Sequence, residues 1–212
     1  ILADEINRTP PKTQSALLEA MQERAVTASG KRFELERPFF VLATQNPIEQ
    51  EGTYPLPEAQ LDRFMFNINV NYPSFEDELT IVKNTTANLD FDINPIMNAS
   101  EIIEFQELIR MVPVNDQVLK YAVNLAAMTR PGSEQQHEIT GKYIQWGAGP
   151  RASQYLIIGA KANAILNGKF SPDIEDVKKV AKIILRHRLI KNYKAEAERL
   201  TVEEIIDTYL KD

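Results

Sequence analysis

The chain has 212 residues, 43% of them hydrophobic, a formal charge of −6 and no cysteine. That length suits one large or two small domains with apolar cores, and the acidic balance argues against general affinity for nucleic acid or anionic membranes. Disulfides and thiolate metal sites are excluded, which fits a reducing, cytoplasmic setting, and no apolar run approaches the roughly 18 residues of a membrane span.

The first element is the apolar run Ile1-Leu2-Ala3, closed by the adjacent carboxylates Asp4 and Glu5. It predicts a buried parallel strand that delivers both acids to the carboxyl-terminal rim of a sheet, where α/β proteins bind ligands. An acid pair placed there can hold the hydration shell of a magnesium ion and polarise an attacking water; without partners, the same pair marks a solvated turn. Thr9-Pro10-Pro11 predicts a helix entry with Thr9 as cap, and residues 12–24 place Ala16, Leu17, Ala20 and Met21 on one helical face. Alternation on both sides of Ser29-Gly30 predicts a β-hairpin over 25–36.

The run FFVLAT at 39–44 is a second buried-strand pattern, ending at Gln45-Asn46-Pro47. The neutral amide of Asn46 at such a rim can hydrogen-bond a water or a phosphate without adding charge, although an Asn-Pro pair alone signals a turn. A loop over 49–57 and a short helix over 57–62 lead to Arg63 and to a third strand candidate over 64–70. By itself, Arg63 reads as a surface charge at a helix end.

From Tyr72-Pro73-Ser74 onward the periodicity is helical. Ser74 caps a predicted helix to about residue 84, a loop is expected over 87–98, and Ser100 is the expected cap of a helix to residue 111 buried through Ile102, Phe105 and Ile109. Residues 115–129 repeat the pattern with Val118, Ala122, Leu125 and Ala126 inward. Residues 130–150 lose all period and predict a long loop holding Trp146 and a solvated His137. Pro150 opens a helix to residue 166 with Arg151 at its electropositive start, a position suited to phosphate or simply to solvent. Helices over 173–190 and 201–210 complete the chain; His187, between Arg186 and Arg188, lies where basic residues suit a helix terminus, and two separated histidines give no metal site.

ILADEINRTPPKTQSALLEAMQER at 1–24, ATQNP at 43–47, EGTYPLPEAQLDRF at 51–64 and GAGPRAS at 147–153 closely resemble the MoxR-type AAA+ ATPases, in family order and spacing over nearly the whole chain. The resemblance implies an α/β nucleotide-binding domain followed by an all-helical lid, ATP and magnesium as cofactors, and a homo-oligomeric ring, a hexamer. It implies that Asp4 and Glu5 are the Walker B pair, with Asp4 ordering the metal shell and Glu5 activating water. Asn46 becomes the first sensor, Arg63 an arginine finger reaching the neighbouring subunit's nucleotide, and Arg151 the second sensor on the lid. It further implies chaperone-like remodelling of a client, such as a partner with a von Willebrand A domain. For the hairpin it leaves two roles open, structural cover and a face on the axial pore.

The family's Gly-x-x-x-x-Gly-Lys-Ser/Thr phosphate loop does not occur in these 212 residues. The expectation is therefore the downstream part of a longer protein: a partial α/β domain over 1–72 and a lid over 73–212, with unpaired strand edges and no activity as an isolated piece. A non-catalytic interaction domain with a degenerate nucleotide site is the alternative. A metal hydrolase built on Asp4 and Glu5 lacks further ligands at useful spacing.

Overall fold

A computed structural model describes residues 1–46, 52–87 and 94–211. Pro47, the early part of the loop expected over 49–57 and the middle of that expected over 87–98 lie outside the described residues. The expected order, an α/β part followed by a helical part, is what the chain forms.

Strand β1 (Leu2–Ala3) pairs in parallel with a later strand, with Leu2 opposite Leu42 and Ala3 opposite Ala43. A single 3-10 turn (Ile6–Arg8) leads to α1 (Pro11–Glu23). The hairpin follows as β2 (Ala25–Ala28) and β3 (Lys31–Glu34), with Val26 facing Phe33. Its turn residues Ser29 and Gly30 have φ of 51° and 75°, the tight turn that matches strand twist. The partner of β1 is β4 (Leu42–Ala43).

The parallel pairing was expected, but burial was not achieved. Leu2 and Leu42 are 67% and 59% exposed, because among the described residues no layer covers this two-stranded sheet. Only at the carboxyl end does the core close, at Ile6. In α1 the cap is Pro10, not Thr9, whose hydroxyl turns back to Ile6 O at 2.8 Å. Its inward face is Gln14, Leu18 and Ala20, while Ala16 is exposed. Gln14 faces in because its amide donates to Ile6 O at 3.1 Å and to Tyr54 O at 2.8 Å, knitting the helix to two loops.

After α2 (Glu58–Leu61) the expected third strand does not form: among the described residues, 64–70 have no strand to pair with, and 64–67 lie against the helical part, with Asn67 N donating to Ile183 O at 2.8 Å. Helix α3 (Phe75–Thr85) is capped by Ser74 as expected and buries no residue. The next cap is Asn98 rather than Ser100. Asn98 and Glu101 form a reciprocal capping box at the start of α4 (Ala99–Met111), on which Phe105 is 52% exposed. Helix α5 (Asp116–Met128) buries all four expected residues.

The expected loop over 130–150 is partly structured, as α6 (Glu138–Tyr143) and β5 (Ile144–Trp146). His137 is not a solvated loop residue. It caps α6 by accepting from Ile139 N at 3.0 Å and stands edge-on to the Tyr209 ring at 5.4 Å. Buried Thr140 completes the anchor with Met128 O at 2.6 Å and Tyr209 OH at 2.7 Å. Such a six-residue helix is too short to leave a period in the sequence.

Helices α7 (Pro150–Leu166) and α8 (Ile174–Leu185) form the central pair of the lid, and α5 packs on both. Gly159 permits the close α7–α8 approach, since a Cβ there would meet Val180 Cγ2 at 3.2 Å and Ile184 Cδ1 at 3.3 Å. Strand β6 (Ile190–Lys191) pairs antiparallel with β5, so the lid is not wholly helical. Helices α9 (Tyr193–Ala197) and α10 (Val202–Tyr209) close the fold, with Leu125, Leu156, Ile184, Ile205 and Tyr209 in one continuous core.

Candidate nucleotide site

The register of β1 on β4 sets the first group of residues. Asp4 and Glu5 leave β1 at the same end at which Thr44, Gln45 and Asn46 leave β4. Thr44 Oγ1 donates to Asp4 Oδ1 at 2.5 Å and accepts from the Glu5 amide at 2.9 Å, so one hydroxyl orders both acids. Glu5 sits in the left-handed region with φ 47° and ψ 52°, a conformation that costs a non-glycine residue about 1 kcal/mol and turns the chain sharply off the strand. Its carboxylate lies 3.4 Å from Arg8 Nε, both half exposed. Asn7 Nδ2 donates to Asn46 O at 3.4 Å, linking the two rims.

The second group forms where α2 meets the helical part. The loop before α7 lies so close to Thr129 that a Cβ on Gly147 would sit 2.1 Å from Thr129 O. Ala148 is gripped there, its N–H donating to Thr129 Oγ1 at 2.9 Å and its carbonyl accepting from Arg130 Nε at 2.7 Å. Pro150 then opens α7, and Arg151 in its first turn extends Nη1 to Asp62 Oδ2 at 2.6 Å. The other oxygen, Asp62 Oδ1, accepts from Arg188 Nε at 2.8 Å. Arg63 follows directly; its carbonyl accepts from Tyr155 OH at 3.1 Å, and among the described residues its guanidinium makes no ion pair.

Burial pulls the Arg188 guanidinium below its ordinary pKa, while the hydrogen bond and charge of Asp62 oppose that pull. Burial, reinforced by Arg188, also lowers His187 to about 4. The neutral ring therefore carries its proton on Nε2, 3.0 Å from Phe64 O, which can only accept.

The structure thus brings Asp4, Glu5 and Asn46 together, and separately brings Arg151 beside the Asp62-Arg63 pair. No hydrogen bond or ion pair among the described residues joins the two groups. Among the described residues no cluster of three acidic or histidine side chains could hold a metal directly. A single carboxylate anchored on a strand end nevertheless suits a magnesium ion that keeps most of its waters. Guanidiniums at or beside a helix amino terminus suit phosphate oxygens. Sequence reasoning missed Thr44, Asp62, Tyr155 and Arg188. For Arg188 the only local signal was apolar Leu189 after a basic triplet; for Asp62 it was adjacency to Arg63.

A parallel strand pair with acids at its carboxyl rim, followed by a helical lid carrying a terminal arginine, defines the AAA+ class of nucleotide-binding modules. Residues 1–66 match the model of the ATPase family associated with various cellular activities, and residues 136–209 match that of the AAA lid domain. Chaperone MoxR1 of Mycobacterium tuberculosis is 41% identical over 210 residues, 99% of this chain and 55% of that protein. Uncharacterized protein YeaC of Bacillus subtilis is 41% identical over 97% of this chain and 62% of its own length. A crystal structure of a candidate ATPase from Cytophaga hutchinsonii superposes with a TM-score of 0.92 at 45% identity, covering 100% of this chain and 64% of that one. The chain belongs to the MoxR-type AAA+ ATPases. It spans between half and two thirds of the length of these relatives.

Proposed function

We propose that the full-length protein containing this chain hydrolyses ATP with magnesium in a homo-oligomeric ring, a hexamer, and uses the cycle for chaperone-like remodelling of a client protein. The observation that carries this reading is the β1–β4 register, which lines up Asp4, Glu5 and Asn46 on one rim with Thr44 between the acids. The chaperone assignment rests on the likeness to Chaperone MoxR1 of Mycobacterium tuberculosis. A client with a von Willebrand A domain and a cytoplasmic location belong to the same proposal; no helix among the described residues is long and apolar enough to cross a membrane.

In this reading Asp4 holds the water shell of the metal, which neutralises phosphate charge when bound. Glu5 takes the proton of the attacking water, and Asn46 positions that water without adding charge. Arg151 contacts the phosphate of its own subunit, and Arg63 reaches the phosphate of the next. The domain boundary lies at 72–73. The alternative is a non-catalytic interaction domain with a degenerate nucleotide site.

Glu5→Gln in the full-length protein separates the two readings, because it removes the base and keeps the shape. ATP should still bind with its affinity within about twofold, while turnover falls by at least about a hundredfold. Unchanged turnover would remove Glu5 from this role, and no ATP binding by the unmutated protein would favour the interaction domain.

A further inference from the structure

Four consecutive carbonyls, those of residues 62–65, are satisfied by side chains of the lid. Arg188 Nη2 donates to Asp62 O at 2.8 Å and to Phe64 O at 2.6 Å, and its Nη1 donates to Met65 O at 3.3 Å. Tyr155 OH donates to Arg63 O at 3.1 Å, and His187 Nε2 donates to Phe64 O at 3.0 Å. Farther along, Arg186 Nη1 reaches Asn67 O at 3.3 Å. The Arg188 side chain is 1% exposed, stacks 5.2 Å from the centre of the Tyr155 ring and also donates to Ile184 O at the end of α8.

By contrast, no hydrogen bond among the described residues ties 58–67 to the β1–β4 pair. The bonds from Tyr155, Arg186, His187 and Arg188 fasten the segment bearing Arg63 to the α7–α8 body.

We propose that Arg188 is a positioning residue that makes Arg63 move with the lid, so that a swing of the lid at one subunit's nucleotide re-aims that subunit's Arg63 at the neighbouring site. The inference rests on the trans role of Arg63 proposed above. Its physical basis is the division of the Asp62 carboxylate between a partly exposed Arg151 and a buried Arg188. Arg151 can leave Asp62 for a phosphate at small cost, since water and the ligand replace the pair. Arg188 cannot, because a buried cation stripped of its carboxylate is strongly destabilising. Asp62 therefore stays on Arg188 throughout the cycle, and Arg63, one residue on, stays with it.

The test uses full-length subunits mixed into rings. Arg63→Ala subunits keep Glu5 but supply no finger. Glu5→Gln donors supply the finger but do not hydrolyse, so turnover in the mixture reports the finger acting in trans. Donors carrying Glu5→Gln with Arg188→Lys should restore about one tenth of the turnover that Glu5→Gln donors restore, as expected for a group displaced by about half an ångström. Native mass spectrometry should show equal mixed-ring formation, and a fluorescent ATP analogue should bind the donors equally, readouts that a general folding defect would spoil. Equal rescue by both donors overturns the proposal.

No rescue by Glu5→Gln donors in confirmed mixed rings would instead remove the trans role of Arg63, a different failure. Should Arg188→Lys subunits not enter rings, Glu5→Gln/Tyr155→Phe donors delete only the bond to Arg63 O. Rescue about fivefold lower is expected from that lost hydrogen bond, and full rescue overturns the proposal.

Discussion

Thr44 binds Asp4 through a 2.5 Å hydrogen bond while its oxygen accepts the Glu5 amide at 2.9 Å, so a residue of one strand orients both acids of the other. Thr44→Val keeps the shape and removes the hydroxyl. In the full-length protein, turnover should fall about tenfold and more magnesium should be needed for half-maximal rate, the effect of losing one charge-assisted hydrogen bond. Thr44→Ser should retain most of the rate. A magnesium titration of steady-state ATPase activity decides it: a Thr44→Val curve identical to the parent's would show that the acids are oriented by other groups.

The two glycines before α7 should behave oppositely. A Cβ on Gly147 would lie 2.1 Å from Thr129 O and 2.5 Å from Thr129 C, backbone atoms that cannot swing aside. Gly147→Ala should therefore destabilise by about 2 kcal/mol, as overpacking does. Gly149 has no heavy atom within 4 Å of an added Cβ, so Gly149→Ala should change stability by no more than about 0.5 kcal/mol. Thermal denaturation of the two variants side by side reads the contrast.

Asp62 and its two arginines should show unequal stability effects. Removing Asp62 strands the Arg188 charge in the core, so Asp62→Ala should cost about 3 kcal/mol. Arg151→Ala breaks only the pair whose side chains are 35% and 27% exposed and should cost about 1 kcal/mol or less. Urea midpoints would give the ranking, and equal losses would contradict the division of roles argued for Asp62.

His187 makes stability depend on pH. Its folded pKa of about 4 lies below the ordinary 6.5 because the ring is buried beside Arg188, and among the described residues its Nδ1 has no acceptor for a second proton. Between those values the unfolded chain binds more protons than the folded one, so stability rises with pH from about 4 to 6.5 and is level above, as far as this group is concerned. Moving from pH 7 to pH 5 should cost about 2 kcal/mol through His187. Asp173, held down to about 2 mainly by the Lys169 hydrogen bond, contributes stability lost only at lower pH, outside this window. His187→Gln keeps a donor for Phe64 O without titrating. Urea midpoints at pH 5, 6 and 7 should be flatter for that variant than for the parent.

The sequence by itself determined the order of parts, the caps at Ser74 and Thr201, the hairpin turn at Ser29-Gly30, and the ends of α7 at residues 150 and 166. These features rest on steric and hydrogen-bonding preferences that act within a few residues, so they are written locally. It also placed both acids and Asn46 at strand ends, since an apolar run that stops at polar residues marks a rim wherever the partner strand lies. Only the tertiary structure decided that 64–70 is not a strand, that Gln14 faces inward where Ala16 was expected, and that 130–150 contains α6 and β5.

A strand exists only through its neighbour, and among the described residues no strand lies beside 64–70, while the carbonyls of Phe64 and Met65 go to Arg188. The partners of Asp62 lie 89 and 126 residues away in the chain, a distance over which no local pattern carries information. Folding brought Arg151 and Arg188 to one carboxylate because both helix termini end at the same corner of the lid, and burial of Arg188 then made that pairing obligatory.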